Sequence, residues 1–174
     1  MLFDLRWLLF TAIHLLLLLG MQLTNHYLAT MGVYIILIGL PIFLSSLHLG
    51  YKGAALCNVI VIYFWTAPLP QNTEYLVLVT LVAQLLITKS KTRLLYDNTV
   101  QIMIVASIVN LFFFLGLCLL QTPTDVSTWS HFQKIAVDCM LSVFLLCLLT
   151  KPYNWCLEHL LFTLNMSSER YSTN

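Results

Sequence analysis

The chain of 174 residues is 60% apolar and 9% charged, and its mean hydropathy is +0.88. A soluble globule of this size needs more polar surface than that composition supplies, so the sequence predicts an integral membrane protein whose main solvent is lipid. We expect no nucleic-acid partner, because phosphate neutralisation takes clustered Lys and Arg whereas the net charge is only +1.

Six apolar segments follow one another along the chain, at residues 7–23, 27–47, 51–67, 75–88, 100–120 and 132–150. Each approaches the length that a helix needs to cross roughly 30 Å of hydrocarbon. They predict an all-α membrane protein with about six transmembrane helices in one bundle, and residues 1–166 form a single domain. The third and fourth segments are the shortest, so two full spans and a partly re-entrant hairpin within 51–88 both stay open.

The two ends of the chain need separate interpretation. The first segment is longer than a signal-peptide core and lacks a small-x-small cleavage site, so we interpret it as a retained helix. Residues 153–164 have apolar positions at helical spacing, which predicts either an interfacial helix on the inner surface or an extension of the sixth span. Residues 167–174 are predicted to be a polar tail.

The basic residues indicate the orientation. With six spans and an inside N-terminus, seven of the eight Lys and Arg residues fall on the inner side and only Lys134 falls outside. Loops that stay in the cytoplasm retain Lys and Arg. The sequence therefore predicts an N-in, C-in topology.

Polar side chains within the apolar segments are the candidates for a specific role, because each costs free energy unless it finds a partner. Asn58, Gln84 and Asn110 lie near the middle of three different segments. We expect them to pair across helices, although a polar cavity for a small substrate is the alternative. His14 lies in the first segment and is expected to bond to a neighbouring helix, since haem would need a second mid-span histidine.

Asp138 is the acidic residue of the sixth segment. It follows Lys134 by four residues, so both side chains share one helical face near the outer boundary. We expect an ion pair between them, and a proton-coupling carboxylate is the alternative. His14, Gln84, Asn110 and Asp138 are together predicted to make buried polar contacts.

Small residues line the start of the third segment at intervals of four, in two adjoining sets: Gly50, Ala54 and Asn58, and Gly53 and Cys57. Small side chains let another backbone approach closely, so this stripe predicts a helix-packing or partner interface. The stripe is compatible with a neighbour from this chain and with a neighbour from another protein.

Motifs for catalysis and cofactor binding are absent from the sequence. It contains no HExxH, no GxSxG, no glycine-rich phosphate loop and no CxxC spacing among its five cysteines. We therefore expect no enzyme activity, no catalytic residues, no metal site and no cofactor.

The order of elements from residue 34 to residue 120 resembles the bacterial rod shape-determining protein MreD family. The matching parts are the end of the second span at 42–47, the basic turn 48–53, the third span 54–67, the corner Pro68-Leu69-Pro70, the fourth span 75–88, the basic loop 89–93 and the fifth span 100–120. One departure is that family members commonly carry an acidic residue near the end of the third span, where this chain has Tyr63-Phe64-Trp65-Thr66.

The resemblance implies a non-catalytic scaffold of the cell-elongation machinery, with several spans in the bacterial inner (cytoplasmic) membrane. Its implied partners are membrane lipid, a membrane-anchored MreC-type protein and other proteins of the elongation complex, and together they link an actin-like filament inside to peptidoglycan synthesis outside. The alternative is a substrate-binding subunit of an energy-coupling-factor transporter, which also has six spans. Such subunits have a small-xxx-small docking stripe in their first span, and residues 7–23 lack one.

Overall fold

A computed structural model describes residues 5–66, 73–90, 99–120 and 128–164. All regular structure in those residues is helical, which confirms the all-α class. The helices are α1 (Arg6–Leu28), α2 (Gly39–His48), α3 (Tyr51–Thr66), α4 (Thr73–Ser90), α5 (Thr99–Leu120) and α6 (Thr128–Thr163). A short 3-10 turn, Ala29–Met31, follows α1. The corner at 68–70, the basic residues at 91–93 and the polar tail at 167–174 lie outside the described residues.

Within the described part of the chain, two stretches are long and apolar enough to cross a membrane, by their length and composition. They are Arg6–Met31, near the N-terminus, and Phe132–Thr163. The apolar helix Val100–Gly116 is shorter. These stretches support a membrane location for at least part of the chain.

The second predicted span is wrong as one continuous helix over 27–47. The chain instead leaves α1, turns at Gly32 with a φ of 70°, runs without helix through residues 33–37 and then forms the ten-residue α2. Glycine adopts a left-handed φ at no steric cost, so Gly32 fits the turn. Pro41 lies in the first turn of α2, where its missing N–H leaves no intrahelical bond unmade.

The sixth predicted span does not end at residue 150. One helix runs from Thr128 to Thr163 with Pro152 inside it, so residues 153–163 continue the sixth helix and do not form a separate interfacial helix. Leu157 and Leu161 in this continuation are buried. A helix of 36 residues is about 54 Å long, which is well over the thickness of a bilayer core.

Helix α2 lies at the centre of the fold. All ten of its residues are buried. It packs mainly against α5, α4 and α3, and it also touches α1 and α6. The core of the bundle therefore forms around a short helix that an unwound segment precedes.

Candidate functional site

The most unusual feature of the fold is the extended segment, residues 33–37, which lies inside the bundle. Ile35, Ile36 and Leu37 are each at most 5% exposed, although this backbone belongs to no helix. Helical backbone satisfies its own N–H and C=O groups, whereas buried extended backbone must find other partners. Here the partners are side chains of α1, α5 and α6.

Helix α1 supplies Asn25 and Met21. The carboxamide of Asn25 donates to the carbonyl of Ile35 at 2.7 Å and accepts from the amide of Ile35 at 2.8 Å. Two directly opposite residues of antiparallel strands exchange the same pair of hydrogen bonds. The Met21 sulfur accepts from the Leu37 amide at 3.2 Å, a weaker contact that still gives this N–H a partner.

Helix α5 supplies Asn110, which joins the extended segment to the start of α2. Its Oδ1 accepts from the amide of Gly39 at 3.1 Å, and its Nδ2 donates to the carbonyl of Ile36 at 2.7 Å. The first amides of a helix have no partner within the helix, so Asn110 caps α2 from a different helix. A Cβ at Gly39 would lie 2.3 Å from the carbonyl oxygen of Ala106, so only glycine fits this crossing.

Helix α6 supplies Asp138 and Ser142. Asp138 is buried, and its Oδ1 accepts from the amide of Tyr34 at 3.0 Å. The Ser142 hydroxyl accepts from the amide of Ile36 at 3.0 Å and donates to the carbonyl of Asp138 at 2.7 Å. The predicted ion pair of Asp138 with Lys134 is wrong: the carboxylate turns inward to the backbone, and the exposed Lys134 forms no ion pair with any residue that the structure describes.

A second polar group joins α2, α3 and α4. Asn58 accepts from the Ser45 hydroxyl at 2.5 Å and donates to the side chain of Gln84 at 3.3 Å. Gln84 in turn donates to the carbonyl of Tyr51 at 2.9 Å. Asn58 and Gln84 therefore pair with each other, while Asn110 bonds backbone, so the three amides do not form one cavity.

His14 lies in a third polar group, between α1, α2 and α6. Its Nδ1 is 2.5 Å from the hydroxyl of Tyr153, and both side chains leave long helices that are distant in sequence. The rings of His14 and His48 each contact the ring of Phe10, with centroids 5.6 and 5.7 Å apart. The Asn154 carboxamide lies 3.4 Å from the Nε2 of His48. Among the described residues, no group of three His, Cys, Asp or Glu side chains could hold a metal ion.

The small-residue stripe at the start of α3 points into the chain's own core. Ala54, Cys57 and Asn58 are fully buried, and α3 packs against α1, α2 and α4. A Cβ at Gly53 would lie 3.7 Å from the Cβ of Trp7 in α1. The carbonyl of Gly50 accepts from the amide of Ala54 at 2.9 Å, which begins the helix. These residues therefore serve packing within the chain.

Sequence reasoning missed several residues of these polar groups, chiefly Asn25, Ser142, Ser45 and Tyr153. Asn25 lies between the predicted spans 7–23 and 27–47, and serine within a span carries little signal. The available signal was Gly39 and Pro41 in the middle of a predicted span. Both residues interrupt helices, and an interrupted span needs polar partners from its neighbours.

Comparison with protein-family models found no matching family, and comparisons with curated proteins and with solved structures found no match.

Proposed function

We propose that the chain is a non-catalytic, multi-pass scaffold of the bacterial inner membrane that serves the cell-elongation machinery, as the resemblance to the MreD family implies. The observation that carries the proposal is the use of the buried polar groups. Asn25, Asn110, Asp138 and Ser142 hold the extended segment through its backbone, and Asn58 pairs with Gln84. These groups fix the arrangement of helices, which is what a scaffold requires.

The proposal includes six spans in an N-in, C-in orientation, and an MreC-type protein as the main partner. Two features support a role in binding other membrane proteins. Helices α1 and α6 both expose long apolar faces, and α6 is buried over only 17% of its most apolar stretch. Exposed apolar faces in a bilayer are free to contact lipid or another transmembrane helix.

Depletion and co-purification test this function together. Depleting the protein in its rod-shaped host should make the cells wider and rounder, and affinity-tagged protein should co-purify with the MreC-type protein. Complementation with Gly20→Ala should restore the shape, because nothing lies within 4 Å of a Cβ at that position, whereas Gly39→Ala should not. Depleted cells that keep their shape and width would contradict the proposal.

The broken second span favours one other function, the substrate-binding subunit of an energy-coupling-factor-type transporter. In many transporters, unwound backbone beside a short helix forms the substrate site. The extended segment and α2 have this form. Saturable binding of a vitamin to the purified protein, lost in Asn110→Leu and kept in Ser107→Ala, would favour this function over the scaffold.

A further inference from the structure

Helix α6 has an outer face that no described part of the chain covers. Met140, Phe144, Leu148, Lys151 and Trp155 are all exposed and recur every three or four residues, so they align along one side of the helix. We call these five residues the outer face of α6. Phe144, Leu148 and Trp155 are 59%, 57% and 67% exposed. Near Met140 and Phe144 the surface forms a groove of about 540 Å³.

Lys151 is the one charged residue of this outer face, and it lies far from the ends of α1. The neighbouring Tyr153 bonds to His14, which follows Arg6 by eight residues and so lies about 12 Å along α1. Helices α1 and α6 run in opposite directions, since Asn25 of α1 and Ser142 of α6 both bond the extended segment. With Arg6 at the inner boundary, as in the proposed orientation, Lys151 lies about 15 Å deep, which is half the thickness of a bilayer core, and not on the inner side where the sequence count of Lys and Arg placed it.

The direction of the Lys151 side chain raises the free-energy cost of its charge in lipid. Helical side chains lean toward the N-terminus of their own helix, so Lys151 leans away from the Arg6 end of the bundle and not toward it. Among the described residues, none forms an ion pair with Lys151. A lysine at this depth needs a counter-charge or an acceptor that hydrocarbon does not offer.

We propose that the outer face of α6 docks a transmembrane helix of another protein that has an Asp or Glu near its middle. The carboxylate pairs with Lys151, and the apolar part of the partner helix packs along Phe144 and Leu148 and into the groove beside Met140. This inference rests on the membrane location in the proposed function, but it does not depend on which protein supplies the helix.

Two other occupants fit the charge of Lys151 less well. Lipid tails contain no acceptor, and the headgroups on the Arg6 side lie about 15 Å away, opposite to the direction in which the side chain leans. A second copy in the same orientation, related by a two-fold axis along the membrane normal, would place Lys151 against Lys151. A carboxylate on a helix of another protein can lie within reach of Lys151 and has the opposite charge.

Synthetic transmembrane peptides test the proposal in vesicles of neutral phosphatidylcholine. The probes are dansyl-labelled Leu/Ala helices of about 20 residues with Asp, Asn or Leu at the centre, and energy transfer from Trp155 to dansyl reports binding, with Trp155→Phe as the blank. We expect the Asp peptide to bind the wild type about tenfold more tightly than the Leu peptide. Lys151→Met should abolish that preference, and the matched variant Lys134→Met should retain it.

Several outcomes would overturn the proposal. One is equal binding of the Asp and Leu peptides, and another is a preference for Asp that survives in Lys151→Met. Loss of the preference when phosphatidylglycerol is added would show that headgroups hold Lys151. Association of wild-type copies that Lys151→Met abolishes would show that a second copy occupies the face. Because no variant lies in the core, circular dichroism should show unchanged helix content in each of them. A failed depletion test would bear on the cellular role and leave this binding result standing.

Discussion

The carboxamide oxygen of Asn110 accepts a hydrogen bond from the backbone amide of Gly39, 3.1 Å away and 71 residues earlier in the chain. The same side chain donates to the carbonyl of Ile36. Replacing Asn110 by Leu leaves two buried backbone groups without partners, and each such group costs about 1–3 kcal/mol. We expect Asn110→Leu to lower the free energy of unfolding by at least the lower end of that range.

Ser107→Ala is the matched control for this substitution. Ser107 lies one turn earlier on α5 and is only half-buried, and its hydroxyl makes no hydrogen bond to a described residue. Its loss should change the free energy of unfolding by less than about 0.5 kcal/mol. Equilibrium unfolding in mixed detergent micelles measures both variants, and equal stability of the two would contradict the capping role of Asn110.

The crossing of α2 and α5 depends on the missing side chain of Gly39. Gly39→Ala places a Cβ 2.3 Å from a backbone oxygen, and backbone cannot rotate away as a flexible side chain can. Forcing the helices apart should cost about 1–3 kcal/mol. Gly20→Ala meets nothing within 4 Å and should be neutral or stabilising by up to about 1 kcal/mol, because alanine favours the helix. Thermal unfolding compares them, and similar melting temperatures would contradict the close approach.

Asp138 is expected to act as a hydrogen-bond acceptor and not as one half of an ion pair. Asp138→Asn keeps an acceptor for the amide of Tyr34, so it should be milder than Asp138→Leu, which we expect to cost about 1–2 kcal/mol. Lys134→Met should have almost no effect. If Lys134→Met destabilised the protein as much as Asp138→Leu, Asp138 would be acting through an ion pair with Lys134.

The contact between His14 and Tyr153 holds the C-terminal third of α6 against α1. A double-mutant cycle with His14→Leu and Tyr153→Phe should give a coupling energy of about 0.5–1.5 kcal/mol, which is the usual range for hydrogen bonds between helices in a membrane. His26→Leu with Tyr153→Phe is the control, since His26 lies near the far end of α1. Additive effects in the first pair would mean that the two side chains do not interact in solution.

The sequence predicted the helical class and the approximate place of most helices, because long apolar runs have few alternatives to a helix. The helix bounds Thr73–Ser90 and Thr99–Leu120 differ from the predicted spans 75–88 and 100–120 by at most two residues at either end. The burial of His14, Gln84, Asn110 and Asp138 followed the same logic, since polar groups in apolar segments seek the interior.

The extended segment was not predicted, because its stability comes from other parts of the chain. Residues 33–37 are as apolar as any span, and hydropathy cannot show that Asn25 and Ser142 will replace the missing helical hydrogen bonds. The continuation of α6 past Pro152 depends in the same way on neighbours, here His14 and His48. The local sequence pattern predicts an element correctly where hydrogen bonds within that element stabilise it. It does not predict an element whose partners lie far away in the sequence.

During synthesis, the extended segment is made well before the side chains of α5 and α6 that bond its backbone. The amide of Ile36 finds its partner Ser142 only after 106 further residues have been made, and Asn110 arrives on the way. At about 5–20 residues per second, that interval is between roughly 5 and 20 s. Until these partners are made, the N–H and C=O groups of Ile36 must bond to water or to the insertion machinery, because hydrocarbon offers them no hydrogen-bond partner. The centre of the newly synthesised bundle can therefore pack fully only after α6 has been made.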